Sequence, residues 1–281
     1  MSRLDSVTME NLKMYCISMS NSHLDKIKKL NYTPVGLGNA KFDKDWVRDN
    51  TLENISQKNS WYGENTFYYW LWKNNLEEHF DKEWVGFCHY RRFWTQDSFE
   101  NKDKKLIKTI LQEVPKEWAG YDVILREEFF VNSTKISKIL KHGKKQLLKN
   151  PFVFLSKKTM TIKVHYDMYH GYGELDKAIE LLDNQNREPF RKFVNLKGSF
   201  NANNIFICRS HKLYSEYCEV LFKWLKNCEK LFGFDKSREY SRIRVYAFLA
   251  ERFLSYWFKK NSNYLVWPLK FHDITNDEIN F

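Results

Sequence analysis

The sequence predicts a single α/β domain of the GT-A-like type, with a central, mostly parallel β-sheet flanked by helices. Short apolar runs, too short for helices, recur along the 281-residue chain. Stretches with helical periodicity separate these runs, which is the pattern of consecutive β-α-β units. No linker rich in proline, glycine or serine divides the chain, so residues 1–281 are assigned to one domain.

The predicted strands are short apolar runs that polar residues or turn residues bound on both sides. In chain order they cover residues 14–18, 33–37, 84–88, 121–125 and 204–208. The third of them follows the polar group at residues 81–83 and ends abruptly in basic side chains. Because each strand is apolar on both faces, we expect helices to cover both faces of the sheet.

The predicted helices fill the segments between these strands. They cover residues 24–30, 61–80, 103–113, 133–150, most of 159–194, and two long closing stretches after residues 210 and 242. Ser60 can cap the second helix, and Pro151 ends the fourth. Gly171 and Gly173 interrupt the helical region that begins at residue 159.

Composition favours a folded, basic protein with an anionic partner. Aromatic residues make up 17% of the chain, which suits a large core or a sugar-stacking cleft and not a disordered chain. The 46 Lys and Arg residues outnumber the 35 Asp and Glu residues and give a net charge of +11. That charge fits a nucleotide, a nucleic acid or an acidic lipid surface, and it does not choose among them.

The chain carries no segment that predicts membrane insertion or secretion. No window approaches the roughly 18 consecutive apolar residues of a transmembrane helix, and residues 1–10 lack the apolar core of a signal peptide. The five cysteines lack CxxC spacing, which argues against a disulfide framework and a zinc site. We therefore expect a cytoplasmic protein, with the inner face of the plasma membrane as a site of peripheral association.

The most informative stretch is residues 86–93, where an apolar strand runs into His89, Arg91 and Arg92. In open α/β sheets the carboxyl ends of the strands face the ligand crevice. Arginine holds phosphate through two parallel hydrogen bonds, so the pattern predicts a phosphate-bearing substrate. The alternative is that both arginines pair with surface carboxylates, as most arginines do.

Six motifs in order resemble one family of bacterial polysaccharide-biosynthesis glycosyltransferases, formerly a domain of unknown function. They are NISQKN (54–59), YGENT (62–66), YWLWKN (69–74), HYRR (89–92), GSFNANNIFI (198–207) and RVYAFLAER (244–252). The family includes galactofuranosyltransferases of O-antigen (lipopolysaccharide) and capsule synthesis. The resemblance implies a GT-A nucleotide-sugar fold, a UDP-galactofuranose donor and a glycan or lipid-linked glycan acceptor. It departs at Ala247, where we expect glycine, and an inactive scaffold of the same fold stays an alternative.

Donor-binding candidates follow from these motifs and from the basic strand end. They are His89, Arg91, Arg92, Asn54, Asn59, Glu64, Lys73, Asn201, Asn203 and Asn204. The side chains at residues 54–64 surround a helix start, where exposed amides suit anions or hydroxyls, although ordinary capping explains them equally well. Lys73 is included by family position alone. The three later asparagines lead into a strand, and their amides suit sugar hydroxyls.

The acceptor base is predicted in the glycine-containing stretch at residues 164–176. Glu174 is the first choice, Asp176 the second and His170 the third, because an attacking hydroxyl needs a carboxylate or imidazole to take its proton. Helix-start acids that complement the macrodipole are the alternative for the two carboxylates. Arg91 and Arg92 are the predicted catalytic cations for the departing diphosphate.

No cofactor is predicted, although manganese or magnesium is left open. The one Asp-x-Asp pair, Asp43 and Asp45, lies in a polar loop with no strand running into it. A metal-independent glycosyl transfer, with fixed cations on the leaving phosphate, is therefore favoured. The rival function is a basic nucleic-acid-binding protein, against which the scattered lysines and the absence of a known binding motif argue.

Overall fold

The computed structural model describes residues 11–74, 83–97, 106–133, 159–235 and 243–275, together with Leu148. Its strands are β1 (Asn11–Ser18), β2 (Thr33–Gly36), β3 (Val47–Arg48), β4 (Glu83–His89), β5 (Arg92–Trp94), β6 (Val123–Arg126), β7 (Phe129–Phe130), β8 (Ser199–Phe200), β9 (Phe206–Cys208), β10 (Tyr264–Trp267) and β11 (Leu269–Phe271). Nine of them form one mixed sheet whose central path runs β10-β6-β9-β4-β1-β2-β3. The strands β7 and β8 form a separate ribbon.

The helices lie mainly in the second half of the chain. They are α1 (Leu24–Lys29), α2 (Asn59–Tyr62), α3 (Asn65–Asn74), α4 (Leu106–Thr109), α5 (Ile162–His170), α6 (Glu174–Ile179), α7 (Asn184–Leu196), α8 (His211–Phe232) and α9 (Val245–Asn261). Within the residues that the structure describes, no helix combines the length and the apolarity needed to cross a bilayer.

Alternation along the strands divides the core into two layers. In β1, Tyr15 and Ile17 face the larger layer, while Met14 and Cys16 face the smaller one. Helices α3, α8 and α9 cover the larger layer, and α1 with the β10–β11 segment contributes to the smaller one. Both faces of the sheet are therefore buried, as expected of parallel strands. At Gly86 in β4 an added Cβ would lie 2.3 Å from the sulfur of Met14 and 2.9 Å from Ile207, so the close packing of the smaller layer on neighbouring strands favours glycine here.

Two features of the sheet topology build the site: the reversal of strand order at β1 and the reversed direction of β9. Strand β1 pairs in parallel with β2 on one side and with β4 on the other, so the crevice beyond its carboxyl end is a topological switch point. Strand β9 runs antiparallel to both β4 and β6. Because β9 is reversed, the residues that precede it meet the carboxyl ends of its neighbours.

The predicted fold class, a mostly parallel α/β sheet with flanking helices, is confirmed. Each of the five predicted strands corresponds to an observed strand, and six short strands were not predicted: β3, β5, β7, β8, β10 and β11. The helix predicted at residues 61–80 is divided at Gly63 into α2 and α3, and its last six residues lie outside the described residues. The helix predicted at 133–150 lies almost entirely outside them as well.

Candidate active site

A pocket of about 700 Å³ opens at the switch point of the sheet. Its walls come from the ends of β1, β2 and β4, the α2–α3 junction, the segment before β9 and the start of α9. The lining residues are Ile17, Met19, Leu37, Asn59, Ser60, Gly63, Glu64, His89, Tyr90, Arg91, Arg92, Asn203, Asn204, Ile243, Arg244, Ala247, Phe248 and Glu251. This volume lies in the range of small-molecule sites.

The basic turn between β4 and β5 forms one wall. The chain reverses there so that His89 and Arg92 face each other across the antiparallel strands. Main-chain hydrogen bonds fix the turn, since the Tyr90 amide donates to the Ile17 carbonyl at 3.1 Å and the Arg91 carbonyl accepts from the His272 amide at 3.2 Å. The Arg91 guanidinium lies over the Tyr90 ring, 4.9 Å from its centroid. Sheet pairing therefore holds the cations in place.

The charges of this turn are unevenly distributed. Burial, which outweighs the attraction of the nearby Glu64, lowers the pKa of His89 to about 4, so its imidazole is neutral near pH 7. The His89 Nε2 atom is inaccessible to solvent and has no hydrogen-bond partner among the described residues. Burial and then the adjacent Arg91 charge lower the pKa of Arg92. Two neighbouring guanidiniums beside a neutral, unpartnered imidazole form a site that suits an anionic ligand.

A third arginine, Arg244, reaches the same pocket from the start of α9. Arg244 Nη2 donates to Glu64 Oε2 at 2.9 Å. This guanidinium lies against Gly63, where a Cβ atom would stand 1.9 Å from Nη2. Gly63 also has a φ of 57°, in the left-handed region. Glycine is therefore required at the α2–α3 junction for both its backbone conformation and the approach of Arg244.

The asparagines before β9 form the opposite wall. Asn203 and Asn204 have φ angles of 73° and 51°, which non-glycine residues adopt at a cost. The Asn204 side-chain amide donates to Glu64 Oε1 at 2.7 Å and to the Ala247 carbonyl at 3.1 Å. The Asn203 main-chain amide donates to Glu251 Oε1, while its side-chain oxygen accepts from Arg126 at 2.6 Å. Asn203 and Asn204 therefore bind Glu251 and Glu64, and Asn203 also binds Arg126 at the end of β6.

Behind Glu251 lies a buried polar cluster. Arg252, only 2% exposed, donates from Nη1 to Glu251 Oε2 at 2.5 Å. Its Nη2 lies 3.2 Å from His170 Nε2 and 3.4 Å from His165 Nδ1. Burial, with the Arg252 charge, lowers the pKa of His165 to about 3. The His170 ring stacks on Phe248 at a centroid distance of 3.9 Å.

The structure brings most of the predicted donor residues together. His89, Arg91, Arg92, Asn59, Glu64, Asn203 and Asn204 all line the pocket. Asn54, Lys73 and Asn201 do not. Asn54 folds back on the carbonyls of Thr51 and Leu52, and the Lys73 ammonium lies 3.7 Å above the Trp72 ring. The fully buried Asn201 bonds Ser255 in the core.

The three predicted base candidates lie outside the pocket lining. Asp176 forms an ion pair with Lys163 at 2.9 Å. The Glu174 carboxylate folds onto Gly171, where an added Cβ would stand 2.4 Å from its carboxyl carbon. His170 contacts the pocket residue Phe248 and, through Arg252, the pocket residue Glu251, and does not line the pocket itself. Glycine interruptions correctly indicated a loop here, but they could not reveal where its acids point.

Three charged residues of the site were not predicted. Arg244 and Glu251 lie seven positions apart on the last predicted helix, and a structural ion pair with other partners is nearly as good an interpretation of the sequence as a role in the site. Their actual partners, Glu64 and Arg252, follow from tertiary packing. Arg126 ends β6 and carried one available signal, a basic residue at the carboxyl end of an apolar strand, as at His89.

The literal Asp-x-Asp pair lies in surface contacts. Asp43 accepts a hydrogen bond from Asn21 at 2.8 Å, and Asp45 pairs with Lys28 at 2.5 Å. Across the parts of the chain that the structure describes, no group of three or more His, Cys, Asp or Glu side chains is placed to hold a metal ion.

One solved structure of a known protein shares this architecture. The solved structure of the WbbM bifunctional glycosyltransferase, in its apo form, is similar with a TM-score of 0.64 and 19% identity, over 96% of this chain and 46% of that one. The chain therefore spans less than half of that protein, and the likeness shows a shared fold. The mannosyltransferase Ktr4p from S. cerevisiae matches more weakly, with a TM-score of 0.32 and 10% identity over 88% of this chain and 66% of that one.

No curated protein sequence matches the chain. A family match, in contrast, extends from residue 13 to residue 262 and so includes the whole pocket. Because the match covers well over half of the 281 residues, the chain belongs to the family described as Domain of unknown function (DUF4422).

Proposed function

We propose that this protein is a glycosyltransferase that transfers a hexose from a nucleotide-diphosphate donor to a glycan or lipid-linked glycan acceptor in surface polysaccharide synthesis. The motif resemblance favours UDP-galactofuranose as the donor. The one observation that carries the proposal is the pocket at the switch point, whose walls present Arg91, Arg92 and Arg244 together. A diphosphate is an anion that such a group of guanidiniums holds well.

The pocket provides separate surfaces for the parts of a nucleotide sugar. The ends of β1 and β2 contribute apolar side chains, Ile17, Met19 and Leu37, which suit a nucleobase and ribose. The basic turn lies next to them and suits the diphosphate. The amides and carboxylates of the far wall, at Asn203 and Glu251, suit sugar hydroxyls.

The fixed cations also suit the chemistry of transfer. When the bond from the anomeric carbon to the phosphate oxygen breaks, negative charge grows on the leaving diphosphate. Arg91 and Arg92 would meet that charge without reorganisation, because strand pairing and ring contacts already hold them. Neutral His89 lines the pocket beside the arginines, and a protonated ring nitrogen of its imidazole can donate a hydrogen bond to a phosphate oxygen.

The shared fold supports the proposal at a coarser level. WbbM is, by its name, a bifunctional glycosyltransferase, and this chain matches a region equal to 46% of it. That likeness favours sugar transfer as the reaction class. The donor, the acceptor and a location on the inner face of the plasma membrane are our proposals from the motifs and the charge.

A donor screen tests the function. The purified protein would be incubated with uridine, guanosine and cytidine diphosphate sugars, UDP-galactofuranose among them, and release of nucleoside diphosphate would be measured. We expect turnover of a uridine diphosphate sugar, with calorimetric binding of UDP. Absence of both hydrolysis and binding for every donor would contradict the proposal. Turnover of a guanosine or cytidine donor would keep the function and change the nucleotide.

A further inference from the structure

We propose that Glu251, which no sequence motif marked as the base, takes the proton from the acceptor hydroxyl as it attacks the donor. This inference rests on the proposed function and adds the identity of the catalytic base. Glu251 lies on α9, lines the pocket and is 9% exposed, so its carboxylate meets a ligand and little bulk water.

Glu251 occupies the half of the pocket that remains for the acceptor. We define the nucleotide half of the pocket by the ends of β1 and β2 and by Glu64, whose negative charge raises the pKa of the neighbouring His89. Glu251 instead lies on the opposite wall, where it accepts from the Asn203 main-chain amide while the Asn203 side chain binds Arg126. A donor bound by its nucleotide at the switch point would extend its sugar toward this carboxylate.

The Glu251 carboxylate is held in a fixed orientation. Oε1 accepts from the Asn203 main-chain amide, and Oε2 accepts from Arg252. Each oxygen of a carboxylate can accept two hydrogen bonds, so one position on each oxygen is left for an acceptor hydroxyl. Asn203 makes this contact from a left-handed backbone conformation with a φ of 73°, and backbone strain of this kind is typical of functional sites.

The other carboxylates of the region are less suited to the role. Glu64 lines the pocket too, but it lies in the nucleotide half, where it binds Asn204 and the pocket cation Arg244. Asp176 is paired with Lys163, and neither Asp176 nor Glu174 lines the pocket. Glu251 is the pocket carboxylate that faces the acceptor half.

The proposed step moves one proton to Glu251 and exchanges one bond at the anomeric carbon. The acceptor O–H bond breaks and its proton passes to a Glu251 carboxylate oxygen. The acceptor oxygen forms a bond to the anomeric carbon, while the bond from that carbon to the diphosphate oxygen breaks. The electron pair of that bond leaves with the diphosphate, whose charge Arg91 and Arg92 meet. The configuration at the anomeric carbon inverts.

Glu251→Gln is the direct test, because glutamine keeps the shape and loses the basicity. The assay uses the donor that the wild-type protein hydrolyses fastest. Water must lose a proton when it attacks this donor, whereas azide as the nucleophile has no proton to lose. We expect hydrolysis to fall about 100-fold or more, the dissociation constant for UDP to change less than threefold, and azide to restore turnover as a glycosyl azide. The matched control is Glu219→Gln on the exposed face of α8.

Each outcome decides between the hypotheses. Hydrolysis within threefold of wild type in Glu251→Gln, or a loss that azide does not restore, overturns the assignment while leaving the glycosyltransferase function intact. Loss in Glu174→Gln with a normal Glu251→Gln would place the base at the start of α6 instead. If the wild-type protein turns over no donor, the proposed function itself fails, and this inference falls with it.

A second variant covers the case in which Glu251→Gln does not fold. Arg252 is a positioning residue, because it does not line the pocket itself and binds the carboxylate of Glu251, which does. Arg252→Lys keeps the positive charge and shortens the contact, and Arg252→Met removes the charge. We expect kcat to fall more in Arg252→Met than in Arg252→Lys, with the KM for the donor within threefold in both. Equal kcat values in the wild-type protein and both variants would overturn the assignment.

Discussion

At the scale of single residues, the pocket combines three exposed or half-buried guanidiniums with a neutral imidazole. Arg91 and Arg92 follow directly from the end of an apolar strand, so the sequence could predict their place. The neutrality of His89 could not be predicted, because it results from burial that only the tertiary structure provides. The charge available to a ligand therefore comes from the arginines.

Arg91→Ala and Arg92→Ala should each lower kcat by about 100-fold, because the charge that they meet is largest in the transition state. Arg→Lys should restore the rate only in part, since lysine cannot reproduce the two parallel hydrogen bonds. Steady-state kinetics with the best donor would measure both effects. Arg191→Ala, at a surface ion pair on α7, is the control. Wild-type rates in both alanine variants would mean that the turn does not contact the donor.

Turnover should survive an excess of chelator, because Arg91 and Arg92 supply fixed positive charge at the proposed diphosphate position. The double variant Asp43→Asn, Asp45→Asn should keep a near-normal rate, since these acids contact Asn21 and Lys28 at the surface. The measurement is the hydrolysis rate with and without the chelator. A rate that the chelator abolishes and manganese restores would show that a metal takes part.

The buried histidines should make the protein less stable at mildly acidic pH. The pKa of His89 is about 4 and that of His165 about 3, both below the unfolded value near 6.5. Above pH 6.5 both states are neutral; as pH falls below 6.5 only the unfolded state gains protons, so stability is lost. Each histidine should cost about 2 kcal/mol between pH 6.5 and pH 5. Urea unfolding at both pH values would measure the loss.

His165→Asn provides the control for that prediction. Asparagine places an oxygen near the former Nδ1 position beside Arg252 and does not titrate. The variant should lose about 2 kcal/mol less than the wild-type protein over the same pH interval. An equal loss in both proteins would assign the acid sensitivity to other groups.

At the scale of elements, the strands and helices that carry the pocket were predictable where their signal is local. Strands β1, β2, β4, β6 and β9 are apolar runs with clear boundaries, and the structure confirms them. The edge strands β5, β10 and β11 are too short or too mixed to stand out, and only sheet pairing identifies them. The direction of β9 also could not be predicted, because a run of three buried residues gives the same pattern in a parallel and in an antiparallel strand.

The turn before β9 should prefer glycine to alanine. At Asn203, with a φ of 73°, both substitutions remove the side-chain contact with Arg126, but only alanine places a Cβ in the left-handed conformation. Asn203→Ala should therefore be less stable than Asn203→Gly by about 1 kcal/mol in urea unfolding.

Asn31 calibrates this difference, because its φ is 59° and it lies at the end of α1, outside the pocket lining. The same pair of substitutions there should also differ by about 1 kcal/mol. A difference at Asn31 with none at Asn203 would show that the turn before β9 relaxes when its side chain is removed.

At the scale of the whole molecule, the net charge of +11 predicts electrostatic attraction to an anionic bilayer, where lipid-linked acceptors lie. Cosedimentation should show binding to vesicles that contain phosphatidylglycerol at 50 mM salt and much weaker binding at 500 mM, because salt screens surface charges. Vesicles of phosphatidylcholine alone are the control. Equal binding to both kinds of vesicle would contradict an electrostatic mechanism.

The contacts of Glu64 have a consequence for how ligands and folding are linked. Glu64 bonds Asn204 and Arg244, which lie 140 and 180 positions further along the chain. The pocket therefore cannot exist in a partly folded chain that lacks either distant segment. A donor would bind only the fully native protein, and at 100 times its dissociation constant it would raise the free energy of unfolding by about 2.7 kcal/mol. Melting temperature thus becomes a sensor of donor binding that needs neither turnover nor an acceptor.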